Sequence, residues 1–385
     1  MIGKFARLLG WFFFSLMLLS LGGCAIYHWF SPVDTVPPAP LVKFTPTQQI
    51  RRIWSVDVGK NLDAPMTPVV MPDGSVYAAS DKGILMRVNK NGQVQWTIHT
   101  HHLLSAGVGA DAQMEVVGGY DGTVLAYDPQ GKLLWHAQAS TQIVGPPAIG
   151  RGKVIVKCLN GHVEAFSQSN GQPVWDVEQQ LPPLIIKSHA GPLIVGKRVF
   201  VGYPGGKLIG FNIENGDKLL DLSIAEPKGS TDIERAVDVT ASPVMIQNNI
   251  CAVAYQGRLA CFERDGGNLV WERSVSSSAG IAVEGHVLFV SGQNGSVYAY
   301  DSATGASLWR QPALRNRSLS SPLAWGSFVV VGDYQGYVHL LSKVDGSFVA
   351  RISTDDTPIV VRPQPTSRGF IVQTTGGRLI ELTLK

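Results

Sequence analysis

Apolar, β-rich runs along this chain are punctuated by glycine, as in Val76-Tyr77-Ala78-Ala79 before Gly83 and Leu85-Met86 after it. The motif Gly-x-(Leu/Val) returns at Gly83, Gly122, Gly161, Gly206, Gly257, Gly295, Gly336 and Gly377. The interval is about 40 residues, and strand–turn–strand content at that period predicts stacked four-stranded antiparallel units. The fold class that follows is all-β: an eight-bladed β-propeller. Asn-Gly and Asp-Gly pairs such as Asp121-Gly122 and Asn294-Gly295 supply the positive φ of tight hairpins.

Most repeats carry a second glycine about ten residues on, followed by a Trp four residues later. Gly92 leads to Trp96, Gly131 to Trp135, Gly171 to Trp175, Gly267 to Trp271 and Gly305 to Trp309. This Trp falls on the outer strand, where a large aromatic packs between neighbouring blades. Leu220 and Ala350 stand where two of the repeats would have it. The last repeat ends at Leu384-Lys385 without a Trp strand, whereas Trp54 precedes the first full repeat. The segment from Arg51 to Val58 is therefore expected to supply the outer strand of the last blade. Closing the ring with both chain ends leaves no open sheet edge.

Composition agrees with this picture and narrows the function. The 385 residues include 42 Gly and 23 Pro and are only 16% charged. The formal charge of +3 falls to about +1 once Lys4 and Arg7 are removed with a leader, which argues against electrostatic binding of nucleic acid. No Ser-His-Asp pattern or phosphate loop stands out, so an enzyme is not expected and no cofactor is implied.

Lys4 and Arg7 precede an apolar run from Leu8 to Leu19, too short for a comfortable span and suited to a signal-peptide core. It ends in Leu21-Gly22-Gly23-Cys24, which resembles a bacterial lipobox. That resemblance implies lipidation of Cys24; with Ala25 rather than Asp next, it implies an outer-membrane anchor. The alternative is a simple membrane anchor with an incidental Cys. Ser31-Pro32 and Pro37-Pro38-Ala39-Pro40 then suggest an extended tether, reaching roughly 60 Å from Ala25 to Phe44 at the polyproline rise. The expected organisation is a signal peptide over 1–23, a lipidated Cys24 and tether over 24–48, and a propeller over 49–385.

Cys251 and Cys261 flank the Gln256-Gly257 turn almost symmetrically. They read either as a cross-hairpin disulfide or as two small buried apolar residues. No Cys-x-x-Cys pair occurs, which counts against a zinc or redox site. His99, His101 and His102 lack an acidic or Cys partner at ligand spacing and read as an exposed blade edge, so no metal is expected.

In repeat proteins, insertions on one face carry function. Most connectors from the Trp position to the Pro that opens the next blade hold 11 to 13 residues, whereas Trp175 to Pro192 spans 16 and Leu220 to Pro243 spans 22. These two are consecutive and are expected side by side. The first contains Leu181-Pro182-Pro183-Leu184-Ile185-Ile186-Lys187; the second runs from Lys228 through Ser230-Thr231-Asp232-Ile233-Glu234-Arg235 to Asp238-Val239. An apolar strip beside a polar patch fits a protein interface, and Ser230 or Thr231 is placed to cap a short helical turn over Asp232 to Val237. The aliphatics, Ile185 above all, equally suit a plug in the central channel or the start of the next inner strand.

The lipobox, the quinoprotein-type repeats and the stretch Gly229-Ser230-Thr231-Asp232-Ile233-Glu234-Arg235 followed by Asp238-Val239 resemble the outer-membrane protein assembly factor BamB family. So do Val331-Gly332-Asp333-Tyr334-Gln335-Gly336-Tyr337-Val338-His339 and Asp345-Gly346-Ser347-Phe348-Val349-Ala350. The resemblance covers the mature chain. It implies a non-enzymatic lipoprotein of the β-barrel assembly machinery, lipid-anchored to the outer membrane and facing the periplasm. Its partner would be the BamA-type barrel subunit, met through the POTRA domains. The family's first connector motif falls on Leu184, Ile186 and Lys187, and its second on Asp238 and Thr240; Lys187 stands where the family has Arg, and Thr240 where it has Asp, so the implied partner-binding residues are Leu184, Ile186, Lys187 and Asp238. Unfolded outer-membrane proteins are a further candidate partner, through strand addition to an edge. Two alternatives remain: a dehydrogenase-like enzyme using pyrroloquinoline quinone, although the chain lacks the vicinal Cys-Cys pair of that group, and a generic periplasmic scaffold.

Overall fold

A computed structural model describes residues 37–186 and 188–385; the segment expected as a signal peptide, Cys24 and Lys187 lie outside them. Alternation of turn glycines and apolar runs produces eight separate four-stranded antiparallel sheets, seven of them meanders of consecutive strands. Blade 1 runs from Val69 to His99, blade 2 from Leu104 to Gln138, blade 3 from Ala148 to Glu178 and blade 4 from Leu193 to Ser223. Blades 5, 6 and 7 span Val244–Arg273, Gly280–Gln311 and Leu323–Ser353. Their middle strands are buried on both faces, as in Val199–Val201 and Val329–Val331, so the core is a series of apolar layers between blades.

Blade 8 is assembled from both chain ends, as the sequence indicates. Gln364–Pro365, Phe370–Gln373 and Arg378–Leu384 form three strands, and Ile50–Asp57 is the fourth. Ile50 pairs with Leu384 and Asp57 with Arg378, across an irregularity between Arg52 and Trp54. The closing strand thus starts and stops one residue before the expected bounds.

The Trp and the second glycine form one inter-blade joint. Trp135 of blade 2 lies over Gly171 of blade 3, where a Cβ would meet its ring at 2.6 Å, and φ is +72°. The indole N–H donates to the Gln168 carbonyl at 2.9 Å. Trp175, Trp271 and Trp309 repeat the bond to the carbonyls of Ile213, Ser302 and Lys343 at 2.8 to 2.9 Å. Trp54 closes the ring by donating to Lys90 at 3.3 Å. Each joint combines aromatic burial with a satisfied donor.

Both departures have physical causes. At Leu220 the facing carbonyl, that of Arg264, is already taken by the Arg198 guanidinium, which also pairs with Asp265 at 3.1 Å. At Ala350 the next blade is the split one, so no hairpin exists there to receive an indole. The hairpin of blade 5 departs differently: Gln256 adopts the positive φ of 49°, and Gly257 is required for space, with Ala225 2.6 Å from a notional Cβ.

Ala39–Lys385 clusters as one compact unit. Residues 39–48, expected as part of an extended tether, run along the outside of blade 7. The Ala39 N–H donates to the Arg315 carbonyl at 3.0 Å, Phe44 stacks on Phe348 at 5.3 Å, and the Thr47 N–H donates to the Val349 carbonyl at 3.1 Å. Arg351 covers the Phe44 ring and donates to the Val42 carbonyl. This strap covers the outer strand of blade 7 at Phe348, Val349 and Arg351. Cys251 and Cys261 face each other across their hairpin and are joined as a disulfide, which resolves the two readings of that pair.

Candidate functional site

In an antiparallel four-stranded meander, the connector from outer to next inner strand emerges on the same face as the hairpin between the second and third strands. All eight connectors therefore share one face, and the two long ones, 179–192 and 224–243, lie on consecutive blades.

These two connectors are joined where they approach the next inner strands, Ile186 to Gly191 of one against Asp238 to Ser242 of the other. The Asp238 carboxylate, 1% exposed, accepts the Ile186 N–H at 2.5 Å and the Gly205 N–H at 3.0 Å. Its backbone bridges Pro204 on one side and Tyr255 on the other, so it is the splice between blades 4 and 5. Further along, the His189 N–H donates to the Thr240 carbonyl at 3.3 Å, and the Gly191 N–H to the Ser242 hydroxyl at 3.0 Å. Below them, Lys157 donates to the Gly202 carbonyl at 2.7 Å and lies over the Tyr203 ring. Burial pushes its ammonium down to about 8, and the Asp238 charge opposes that shift.

Above this floor the second connector projects. Residues 226–235 are all exposed. Thr231 caps a single helical turn: its hydroxyl accepts the Glu234 N–H at 3.2 Å, while the Glu234 carboxylate accepts the Ser230 and Thr231 N–H groups at 2.9 and 3.1 Å. That reciprocal pair is a capping box, and it holds the Glu234 carboxyl below its ordinary value, chiefly through the Ser230 N–H. The turn presents Ile233, 71% exposed, among Asp232, Glu234 and Arg235. On the first connector Leu184 is 40% exposed. Ile185 and Ile186 are half-buried and, with Leu181, line a small slot against Lys157 and Tyr203. They neither plug the channel nor start the inner strand, which begins at Leu193.

Of the sequence-derived residues, Leu184 is presented to solvent, Ile186 is half-buried, and Asp238 works beneath the surface. Cys24 and Lys187 lie outside the described residues. Two contributors were missed. Ile233 has a plain signal, an aliphatic in a polar run; Lys157 has another, a cation closing the apolar run Val154-Ile155-Val156.

Elsewhere, His102 sits 3.3 Å from Asp121 at the rim of blade 2. His162, Glu164 and Asp176 bring their ligand atoms within 4.8 Å of one another on blade 3. His162 is already hydrogen-bonded to both Asp176 oxygens, at 2.8 and 3.0 Å, and Glu164 accepts the Ser140 N–H at 2.8 Å. These bonds explain the cluster as a local brace.

The comparisons agree with this architecture. The family model described as "Outer membrane protein assembly factor BamB" matches residues 81–311 and 293–385. The assembly factor of that name from Bordetella pertussis is 36% identical over 365 residues, covering 94% of each chain. The one from Burkholderia pseudomallei is 38% identical over 343 residues, covering 88% of this chain and 90% of that one. In structure, BamB from Moraxella catarrhalis superposes with a TM-score of 0.80 at 23% identity, over 87% of this chain and 99% of that one. A quinohemoprotein alcohol dehydrogenase from Comamonas testosteroni gives 0.71 at 12% identity over 87% of this chain and 76% of that one, a likeness of fold alone.

Proposed function

The chain belongs to the outer membrane protein assembly factor BamB family, and from that premise we propose that it is a non-catalytic scaffold of the β-barrel assembly machinery. It docks through its two long connectors on the POTRA domains of the barrel subunit. A lipid on Cys24 holds it to the outer membrane, with the propeller in the periplasm. The role is that of an assembly factor and not of an enzyme, in keeping with the names of its relatives.

The observation that carries the docking surface is the splice at Asp238. It fixes one connector against the other, so that the exposed Leu184 and the capped turn bearing Ile233 are presented by a rigid base. Preorganised apolar anchors flanked by charges lose little entropy on binding. In this reading Leu184 and Ile233 touch the partner, Ile186 supports them, Lys187 adds a charge, and Asp238 positions the pair.

The test is co-purification of the barrel subunit with the tagged chain, beside Leu184→Glu and Ile233→Glu variants of unchanged melting temperature. Capture by wild type and loss in the variants supports the reading. Equal capture by all three moves the interface elsewhere on the propeller. A Cys24→Ser variant still recovered with washed outer membranes, in cells lacking the barrel subunit, would remove the lipid anchor from the account.

A further inference from the structure

At the connector face the channel opens as a funnel of about 480 Å³, lined where the inner strands begin. Its walls carry hydroxyls, among them Thr67 and Ser321, and an apolar patch that includes Ile281 and Val361. Among the described residues no acidic side chain lines it. Arg362 does, from the connector that enters blade 8. The Arg362 Nε is buried without a hydrogen-bond partner, and the guanidinium makes no ion pair among the described residues. The Gln364 side-chain amide donates to the Arg362 backbone carbonyl at 3.1 Å.

The side chain as a whole is only half-buried, with its Nε shut away, and a guanidinium partly withdrawn from water without a countercharge is open to an incoming anion. Here burial alone draws its pKa down, with no neighbouring carboxylate acting against that shift. Its planar fork matches a carboxylate in bidentate geometry. The volume falls in the range of small-ligand sites, and such sites pair apolar walls with a few placed polar groups.

We propose that the funnel is a binding site for an organic carboxylate with an apolar body, its charge held by Arg362 and its body against the aliphatic wall. The free C-terminus of a polypeptide and a free aliphatic acid share this chemistry. Arg362 enters the funnel from the connector into blade 8, across the ring from Leu184, while His189, Thr240 and Ser242 of the two long connectors line its other wall.

The experiment is calorimetric titration of the intact chain with octanoate, with acetyl-Ala-Ala-Leu bearing a free carboxylate, with its C-terminal amide, and with acetate. Saturable binding of at least one apolar acid is expected. The amide and acetate should bind at least tenfold more weakly. Arg362→Gln should lose at least tenfold in affinity while folding normally, because it removes an unpaired charge; Ser321→Leu should block the funnel without touching that charge. A preference for the peptide acid or for octanoate identifies the source. No saturable binding, equal binding of acid and amide, acetate binding as tightly as the apolar acids, or binding unchanged in both variants would each overturn the proposal.

Discussion

The Asp238 carboxylate accepts the backbone N–H of Ile186 at 2.5 Å, across 52 residues of sequence. It is shut away from solvent, so it acts by setting where the two connectors sit. Asp238→Asn keeps the volume but removes the charge shared by two N–H donors and felt by Lys157. A loss of about 2 kcal/mol is expected in chemical denaturation, from hydrogen bonds to a charged group. Asp238→Ala should cost about 3 kcal/mol or more, since the donors would be buried unpaired. A folded Asp238→Ala chain of wild-type stability would remove the splice from the argument.

The Trp joints make a graded prediction. Trp135→Phe removes one indole donor to the Gln168 carbonyl and should cost about 1 kcal/mol beyond the lost area. Trp135→Ala should cost about 3–5 kcal/mol. Gly171→Ala strikes the same joint from the other side, by strain at positive φ and by collision with the ring. The double variant Trp135→Ala/Gly171→Ala should therefore be less destabilised than the sum of the two, by more than about 0.5 kcal/mol. Thermal and denaturant unfolding of the four chains reads this directly.

The joints also mark how far sequence reaches. Glycines and indoles at fixed offsets disclose the blades, their number and the closing strand, because each repeat must bury the same faces. The gaps at Leu220 and Ala350 are visible in the sequence, but their causes are not. One is a guanidinium at Arg198 that reaches Arg264 across 66 residues, and the other is a hairpin that the split blade lacks. Connector length singled out the two loops that lie on consecutive blades and meet at Asp238, since insertions are free to grow only where the ring does not pack. Solvent exposure within those loops was not legible: Asp238 and Asp232 look alike in a polar run, yet one is buried and the other projects. The end of the tether was no more legible: prolines signal extension and say nothing of docking, and residues 39–48 lie along blade 7.

That docking gives the third prediction. Deleting residues through 38 should leave unfolding of the propeller unchanged. Deleting residues through 48 strips Phe44 from Phe348 and leaves Arg317 and Arg351 without the Ala39 and Val42 carbonyls. Phe44 is only half-buried, so a loss of about 1–2 kcal/mol is expected, less than for a core Phe. Phe44→Ala alone should reproduce much of it. If both truncations melt together, the strap contributes nothing to the ring.

The last prediction concerns Glu115, fully buried on the second strand of blade 2 with neither carboxyl oxygen hydrogen-bonded. Burial pushes its pKa up to about 9 from an ordinary value of 4.5; Arg87 draws it down a little, and Asp128 raises it. The folded chain thus keeps a proton that the unfolded chain gives up. Between about pH 4.5 and 9 the unfolded state binds fewer protons, so this residue makes stability fall as pH rises, by at most about 1.4 kcal/mol per unit. Below that window both states are protonated and the effect vanishes. Glu115→Gln keeps the shape and cannot ionise, so it should match wild type near pH 4 and exceed it increasingly toward pH 8. Denaturant unfolding of both chains at four or five pH values would test this. A constant difference between them across that range would mean that Glu115 is ionised in the fold, with a countercharge found on relaxation.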